Sequence, residues 1–560
     1  MSGIKISALP VATLPLSGNE VLPVVQSGNT VQVAAKNVYA GSAGSAQMGF
    51  IASGTGAAAR TVQAKLRDVI SVKDFGAVGD GSTDDTVAVQ AAITAAGAAG
   101  GGFKVYFPAG TYKLTSALNI ASAVQLAGAG VSPYNAALGT RGGGTWLYFN
   151  HAGKGINIAG ASVLSGIELT NFGTYRDQPA PAPGWAPNAH DYDIYIDNAD
   201  VLINDLMLLN PTKGVYLTNG SYGRLEINTL RGQAFQTMVR VYTSYDVVKI
   251  NNLHQWPFWQ DNANVHAYTQ QNLDVIYSER NDNPMFTNIF SIFARSGMRF
   301  GQNVNGATSK VHAVNLDFDR GKFAVYVDTS VTNGVTGQIE NLTHQGETGL
   351  AESKAIMVAG SNSVLNFGLF QTDYCNQNAV RVESTGNTLV FAAPPRISNY
   401  DQSGLGFPAI EALNGNTIRI DGYPLISAGG GIGGRYSTTG TIYVDEWRAT
   451  TPTVTSATGT ITALGAVSGQ YKLWNNTFQF VYDITITTNG TAATAIQATL
   501  PSITLSGRAV ANGREVVVSG VSLFGQLDSA LNYVEIRKYD NSYPGGNGAR
   551  LIVNGAIKTA

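Results

Sequence analysis

The sequence predicts an all-β protein whose central body is a parallel β-helix. A short strand motif recurs through residues 155–412, turns rich in Asn, Gly and Ser follow most copies, and the composition is poor in charge. Of 560 residues, 65 are glycine and only 13% are charged, about half the usual charged share. This composition favours many short strands joined by tight turns over long solvated helices.

Each copy of the motif consists of a small or polar residue, an apolar residue, any residue, and a second apolar or small residue. The mean spacing of about 28 residues falls within the 20–50 that is typical of solenoids. Strands this short exclude a TIM barrel, which needs a helix per repeat, and stacked rungs about 4.8 Å apart account for the pattern. The copies begin at Gly155, Asp193, Gly214, Met238, Asn264 (a weaker match), Gly297, Ala324, Ala355, Ala379 and Ala409.

Composition shifts divide the chain into four parts. Residues 1–40 form a small module, and the Ala/Gly/Ser-rich residues 41–70 a linker or neck. The β-helix spans 71–440 and begins with a capping helix near 84–96, with Val87 and Ile93 on its apolar face and Thr83 or Asp84 as its cap. Alternating strands after residue 440 predict a C-terminal β-sandwich over 441–560.

Charge and cysteine content exclude several functional classes. The 35 basic and 37 acidic residues give a net charge of −2, which argues against nucleic-acid binding or a basic membrane-binding face. A single cysteine, Cys375, excludes an intrachain disulfide framework. No apolar run approaches the roughly 18 residues of a membrane span, and the start lacks a secretion signal, so we expect folding in a cytosol.

Two segments resemble known families. The run Val72–Asp85, the Ala-rich helix after it and Val105–Tyr112 resemble the entry to the pectate-lyase-like right-handed β-helix. That fold occurs in bacteriophage tailspikes and in secreted polysaccharide-degrading enzymes. Ile6–Pro10 and Val21–Val25 look like the virion-attachment modules of tailspikes.

The resemblance implies a homotrimer attached to a phage tail or baseplate through its N-terminus. Such a protein would be assembled in host cytoplasm and act at the bacterial surface, where it binds and cleaves capsule or O-antigen polysaccharide. It also implies a C-terminal sandwich that trimerises or binds carbohydrate. No cofactor or metal is expected, and the fold alone fixes no reaction, because this scaffold hosts hydrolases, lyases and inert adhesins.

A strip of polar and aromatic residues is the candidate site. Aligning the rungs after their second strand brings together four turns, and glycoside hydrolysis needs two carboxylates beside the scissile bond. Asp317 and Asp319 share a face of one strand, and we expect one of them to act with Glu279 or Asp282 from the preceding rung, by an inverting or a retaining route. The four turns are His254–Trp259, Glu279–Asp282, Asp317–Arg320 and His344–Glu347.

Residues around the carboxylates are candidates for substrate binding. Trp256 and Trp259 either stack on sugars or pack inside, and Arg280 and Arg320 either hold an acidic sugar or neutralise the carboxylates. The full substrate-binding prediction is His254, Trp256, Trp259, Arg280, Arg320, His344 and Glu347.

Two alternatives remain open. A lyase could use His254, Tyr277, Arg280 or Arg320, and an adhesin would bind without cleavage. A second group, Asp191, Asp193 and Asp197, lies near Trp185 and His190 around a Pro-rich insertion over 178–187, and predicts a secondary binding site or trimer contact.

Overall fold

The computed structural model describes residues 21–34, 44–99, 102–131, 141–220, 224–431, 433–436, 440–474 and 476–559. Of the predicted N-terminal module, this leaves an antiparallel hairpin of β1 (Val21–Gln26) and β2 (Asn29–Ala34), and Ile6–Pro10 lies outside the described residues. The predicted neck contains short elements: α1 (Gly44–Gln47), β3 (Gly49–Phe50), β4 (Arg60–Thr61) and α2 (Val62–Leu66).

The β-helix begins with a capped entry. Its elements are β5 (Val69–Ser71), a 3₁₀ turn (Val72–Phe75), β6 (Asp80–Asp84), α3 (Thr86–Ala98), β7 (Phe103–Phe107), β8 (Gly110–Leu114), β9 (Leu118–Ile120), β10 (Val124–Gly128) and β11 (Thr145–Phe149).

The rungs continue through twenty-four strands and one inserted helix. The first half comprises β12 (Ile156–Thr170), β13 (Gly173–Tyr175), β14 (Tyr192–Leu208), β15 (Lys213–Gly220), β16 (Leu225–Gly232), β17 (Thr237–Ser244), β18 (Lys249–Gln255), α4 (Ala263–Asn272), β19 (Asp274–Asn281), β20 (Met285–Ile292), β21 (Ser296–Phe300), β22 (Gln302–Asn303) and β23 (Gly306–Ala307).

The second half comprises β24 (Val311–Asp319), β25 (Phe323–Val327), β26 (Thr336–Gln345), β27 (Ile356–Val358), β28 (Val364–Phe367), β29 (Phe370–Asp373), β30 (Val380–Val382), β31 (Thr388–Phe391), β32 (Arg396–Ser398), β33 (Ile410–Ala412), β34 (Thr417–Ile420) and β35 (Leu425–Ser427).

Parallel pairing between successive rungs builds three faces. The first face includes β17, β19, β21 and β25, each paired with the next. The second and third faces share long strands such as β18, β20, β24 and β26, and farther along they separate, with β26 pairing to both β28 and β29. The predicted right-handed parallel β-helix is therefore confirmed.

A column of left-handed residues turns the chain from the second face to the third. Asn252, Asn288, Asn315 and Asn341 have φ between 51° and 58°, a conformation that asparagine tolerates better than most residues. Their side chains bond along the column: the Nδ2 of Asn341 donates to Asn315 at 3.0 Å, and that of Asn315 to Asn288 at 3.1 Å. This corner sets the direction of the third-face part of β18, β20, β24 and β26.

One continuous apolar core fills the β-helix from Val72 to Val444. Large rings such as Phe286, Phe300 and Phe318 are almost fully buried, and Phe367 stacks on Phe391 at 5.1 Å between centroids. Burying so much apolar surface provides the main stabilising free energy.

The predicted capping helix is present as α3 and buries Val89, Ala92, Ile93 and Ala96. Val87 was expected on this apolar face but is 81% exposed, because it lies off the stripe that positions 89, 92, 93 and 96 define. The Oδ1 of Asp84 accepts from the backbone N–H of Thr86 at 3.1 Å.

The weak repeat copy at Asn264 is wrong, since residues 264–267 belong to α4. The first-face strand of that rung is β19, which begins ten residues later at Asp274. The inserted helix therefore shifts the expected register of this rung, with consequences for Glu279 and Asp282.

A second core lies in the C-terminal region and includes Phe478, Phe480 and Tyr482. β36 pairs in parallel with β34 at its start and antiparallel with β38 at its end, so it links the two regions. β41 ends at Glu515, and the three valines that follow it form an exposed turn. The strands are β36 (Thr441–Thr450), β37 (Val454–Thr458), β38 (Ala463–Trp474), β39 (Thr477–Thr488), β40 (Ala493–Thr499), β41 (Arg508–Glu515), β42 (Ser522–Asp528), β43 (Tyr533–Lys538) and β44 (Arg550–Lys558).

Within the described ranges, no helix has both the length and the apolar character needed to cross a membrane.

Candidate functional site

Asp317 and Asp319 lie side by side on the outside of the third face. Phe318 between them is 1% exposed and points into the core, so both carboxylates point outward, as the sequence predicted. Among the residues described, neither carboxylate has a hydrogen-bond or ion-pair partner, and the Oδ1 of Asp317 is buried without one. A carboxylate left without partners in a half-buried position is costly to stability.

Both carboxyl groups have raised pKa values. Burial is the main cause for each, and the negative charge of Asp319 raises the pKa of Asp317 further. The neighbouring guanidinium of Arg320 partly offsets the shift at Asp319. Because the charge of one carboxylate raises the pKa of the other, loss of a proton from one favours retention of the proton on its neighbour.

Aromatic side chains continue the column of Asp317 toward the N-terminal rungs. Asp317 is in register with Phe290, and Phe290 with His254. The His254 ring contacts Phe290 at 5.0 Å and Phe258 at 5.4 Å, both edge to face. Burial lowers the pKa of His254, which favours a neutral imidazole at this position.

Trp256 and Trp259 are half-buried in two aromatic clusters. Trp256 packs against Phe258 at 5.3 Å, and Trp259 contacts Trp185 at 6.0 Å and Phe235 at 5.6 Å. Their packing role is therefore established by these contacts, and only their remaining exposed surface is available to a ligand.

Arg320 is neutralised by Glu347 in an ion pair at the end of the third face. Gln270, on α4, donates from Nε2 to the Oε2 of Glu347 at 2.5 Å and to the backbone carbonyl of Arg320 at 2.9 Å. The Arg320 guanidinium also lies 4.7 Å from the Phe293 ring centroid. The inserted helix thus braces the turn beside Asp319.

Glu279 and Asp282 do not join this pair, and the predicted alignment of four turns is wrong on this point. Glu279 lies near the end of first-face strand β19. The residue before it, Ser278, pairs in register with Phe300 of the next rung, which pairs in turn with Val327 at the end of β25. About five residues of first-face strand, roughly 16 Å, separate that level from the turn after Asp319. The cause is α4, which displaces the strands of this rung along the sequence.

Both displaced carboxylates have partners of their own. The Nε of Arg240 donates to Glu279 at 2.9 Å, and burial raises the pKa of Glu279 despite that contact. Arg280 donates to both oxygens of Asp282 at 2.6 and 3.0 Å, which lowers the pKa of Asp282. Arg280 thus neutralises a carboxylate on the first face and lies apart from the Asp317–Asp319 pair.

His344 was expected to bind substrate but points into the interior. It is 1% exposed, its Nδ1 lies 2.9 Å from the Thr372 hydroxyl, and its Nε2 lies 3.3 Å from the Gly321 carbonyl. Burial lowers its pKa to about 4. The reason for the misplacement is strand alternation: His344 is in register with Phe318, which also points inward.

A buried ion pair joins the two residues that flank the Pro-rich insertion, Arg176 before it and Asp193 after it. Arg176 donates from Nε to Asp193 at 2.7 Å, and both side chains are fully buried. Trp185 packs against Phe235 at 4.9 Å. Asp193 is therefore inaccessible to a ligand, whereas Asp191 and Asp197 are half-buried, and a secondary binding site or trimer contact at those two residues stays a prediction.

A ladder of tyrosines and arginines on the outside of the first face was not predicted from the sequence. We call it the Tyr–Arg ladder; its residues are in register from one rung to the next. The motif's third position, treated as variable, carried this signal, because it holds Tyr or Arg in six successive rungs, from Tyr195 to Tyr326, once the copy at Asn264 is replaced by β19. The members are Tyr216, Arg240, Tyr277, Arg299 and Tyr326.

Comparison with known proteins gives one family match. Residues 69–253 match the family model described as rhamnogalacturonase A/epimerase, pectate lyase-like. This segment is similar to that family. The match includes the entry segment and β18 up to residue 253. It ends before His254 and before the Asp317–Asp319 pair.

Individual relatives match over short or distant stretches. A 68-residue stretch is 56% identical to mannuronan C5-epimerase AlgE3 of Azotobacter vinelandii, covering 11% of this chain and 4% of that protein. The Dettilon tailspike protein (gp208) aligns over 89% of this chain and 96% of its own at 14% identity, with a TM-score of 0.47. A tailspike protein mutant of E. coli bacteriophage HK620 aligns over 93% and 99% at 10% identity, with a TM-score of 0.46. The fold assignment rests on the strand register rather than on these likenesses.

Proposed function

We propose that the protein is a phage tailspike that binds and depolymerises a bacterial surface polysaccharide, capsule or O-antigen, by hydrolysing glycosidic bonds. Asp317 and Asp319 are the acid–base pair. The observation that carries the proposal is that these adjacent carboxylates face outward, have no partners among the described residues and have raised pKa values.

The pair meets the chemical requirements of glycoside hydrolysis. The protonated carboxyl donates its proton to the glycosidic oxygen as that bond breaks, and the ionised one accepts a proton from the water that attacks the anomeric carbon. The Cα atoms of positions i and i+2 on a strand are roughly 6.6 Å apart, a spacing that leaves room for a water between one carboxylate and the sugar, as the inverting route requires. The raised pKa values keep one proton on the pair nearer to neutral pH than an ordinary aspartate would.

The surroundings of the pair suit a carbohydrate. The half-buried faces of His254 and Trp256 extend the same side of the β-helix toward the N-terminal rungs, and aromatic surfaces stack on the apolar faces of sugars. The pectate-lyase-like match over residues 69–253 supports a polysaccharide as the substrate class. The resemblance of the N-terminal segments to virion-attachment modules supports a place on a phage tail.

The test is to incubate the protein with purified capsular and O-antigen polysaccharides and to follow chain length, new reducing ends and unsaturated ends. Hydrolysis predicts shorter chains with new reducing ends and no ultraviolet-absorbing unsaturated ends. Unsaturated ends would replace the proposal by a lyase, and binding without shortening would replace it by an adhesin. Light scattering of the full chain checks the tailspike assembly, for which the mass of three chains is expected and a monomer would argue against it.

A further inference from the structure

We propose that the Tyr–Arg ladder is a second glycan-binding surface, separate from the Asp317–Asp319 pair, and that it takes a polysaccharide segment of uncharged sugars. The inference rests on the proposed function in that the ligand is a polysaccharide, and it names the class of sugar.

The ladder residues are held in a fixed stack. The Arg240 guanidinium lies 5.1 Å from the Tyr216 ring centroid and 5.0 Å from that of Tyr277. Arg299 lies 4.3 Å from the Tyr277 ring and 5.9 Å from the Tyr326 ring. Cation–π contacts of this kind stabilise each side chain in one position, so a ligand would meet a surface that is already ordered.

Carboxylates on both margins fix the guanidiniums further. Arg240 is paired with Glu279 at 2.9 Å, and Arg299 bridges Asp274 at 3.0 Å and Asp328 at 2.7 Å. Arg295 also pairs with Asp274. Three guanidiniums therefore face three carboxylates, and the surface carries no net charge with which to attract an anionic polymer.

Gly301 brings the Tyr277 hydroxyl into this arrangement. A methyl group at Gly301 would lie 2.8 Å from the Tyr277 hydroxyl oxygen and 3.3 Å from the Oδ2 of Asp328. Only a glycine leaves room for the phenol to lie against the next rung between Glu279 and Asp328. Burial raises the pKa of Tyr277 to about 12, so its hydroxyl remains a hydrogen-bond donor at neutral pH.

The pattern of groups matches a chain of neutral sugars. Tyrosine hydroxyls and guanidiniums alternate from rung to rung, about 4.8 Å apart, and both can donate hydrogen bonds to the hydroxyls of a sugar chain. Arginines cover the faces of the tyrosine rings within the stack. Recognition therefore depends on hydrogen bonds to the tyrosine hydroxyls and guanidinium groups rather than on stacking. A uronate or sialate would find no unpaired guanidinium among the ladder residues, because Arg240 and Arg299 already bond to Glu279, Asp274 and Asp328, so the surface does not favour acidic sugars.

The experiment measures binding of Asp317→Asn/Asp319→Asn protein to a panel of purified capsular and O-antigen polysaccharides with neutral or acidic repeat units. We expect binding to a neutral polysaccharide that changes little with salt. In the same background, Tyr277→Phe, which removes one hydroxyl, should weaken binding about two- to tenfold. Gly301→Ala, which displaces the phenol, should weaken it at least as much.

Arg381→Gln is the matched control. Arg381 lies farther along the same first-face column, in register with Met357 rather than with a tyrosine, and is paired with Glu383 and Glu411. It should bind like the parent. The inference would be overturned if Tyr277→Phe and Gly301→Ala bound as tightly as the Asp317→Asn/Asp319→Asn background at unchanged melting temperature. Binding only to acidic polysaccharides, or no binding to any polysaccharide, would also overturn it. Residual cleavage by the Asp317→Asn/Asp319→Asn protein would instead contradict the proposed function and leave the binding result to be judged separately.

Discussion

Asp317 and Asp319 flank the buried ring of Phe318, so that one strand presents two neighbouring carboxylates to solvent and anchors them by a core side chain. Neither oxygen pair is engaged by another described residue. Elsewhere on the β-helix, Glu279, Asp282, Asp274 and Asp328 are each bonded to an arginine. The contrast distinguishes carboxylates that arginines neutralise from a pair without a described partner, for which we propose acid–base chemistry.

Single substitutions should show the catalytic role. Asp317→Asn and Asp319→Asn should each lower kcat by about 10²- to 10⁴-fold, because each removes one proton-transfer group. KM should change little, since the amide is of similar size. Initial rates of reducing-end formation check this, and a drop confined to KM would assign the residues to binding instead.

The same substitutions should raise stability at neutral pH. A carboxyl whose folded pKa is raised binds its proton more tightly in the folded state, so its contribution is fully present below the unfolded pKa, about 3.9, and is lost as pH rises through the folded pKa. Asp317→Asn should therefore melt at a higher temperature than the parent at pH 7 and at the same temperature near pH 3. A lower melting temperature at pH 7 would show that Asp317 has a stabilising partner. Thermal melts at both pH values provide the comparison.

The asparagine column makes a prediction about the corner between the second and third faces. Asn315 has a φ of 57°, where a Cβ costs about 1–2 kcal/mol for most residues. Asn315→Ala and Asn315→Gly both remove the amide bonds to neighbouring rungs, but only alanine adds strain. Asn315→Ala should be the less stable of the two by about 1 kcal/mol in denaturant unfolding, and equal stability would show that the backbone there relaxes.

Glu515 should be essential to the C-terminal region. Its buried carboxylate accepts from the backbone N–H of Val517 at 2.8 Å and Val518 at 2.9 Å, and from the Ser519 hydroxyl at 2.8 Å. Glu515→Ala leaves these donors unpaired and should lower the free energy of unfolding by about 2–4 kcal/mol. Glu515→Gln, which keeps one acceptor oxygen, should lose less; an equal loss would show that the carboxylate charge, rather than the hydrogen bonds, matters most.

The pH dependence of Glu515 has the opposite sign to that of Asp317. Burial alone would raise its pKa, but the backbone hydrogen bonds outweigh burial and hold the pKa far below the usual value. Its stabilisation is present above the unfolded pKa, about 4.3, and is lost as pH falls toward the folded pKa. The parent and Glu515→Gln proteins should therefore converge in stability in strong acid, which unfolding curves at decreasing pH will measure.

The sequence predicted more of the fold than of the site. Repeated apolar positions identified the rungs because inward side chains are apolar in most copies, and the shared face of Asp317 and Asp319 followed from strand alternation alone. Glu279 was misplaced because the inserted helix α4 contains a weak match to the motif at Asn264, near the expected repeat spacing. That match was taken as the first-face strand in place of β19. His344 was misplaced because polar residues inside a core are visible only through their partners, here Thr372 and the Gly321 carbonyl.

The most direct test of the account compares the parent protein, Asp317→Asn/Asp319→Asn and Glu226→Gln on a polysaccharide that the parent shortens. Glu226 is an exposed carboxylate of the second face paired with Lys249, so its variant controls for loss of a surface charge. If Asp317 and Asp319 are the acid–base pair, the double variant should bind the polysaccharide but leave its chain length unchanged, while Glu226→Gln should cleave like the parent. Cleavage by the double variant at the parental rate would contradict the assignment of Asp317 and Asp319 as the acid–base pair.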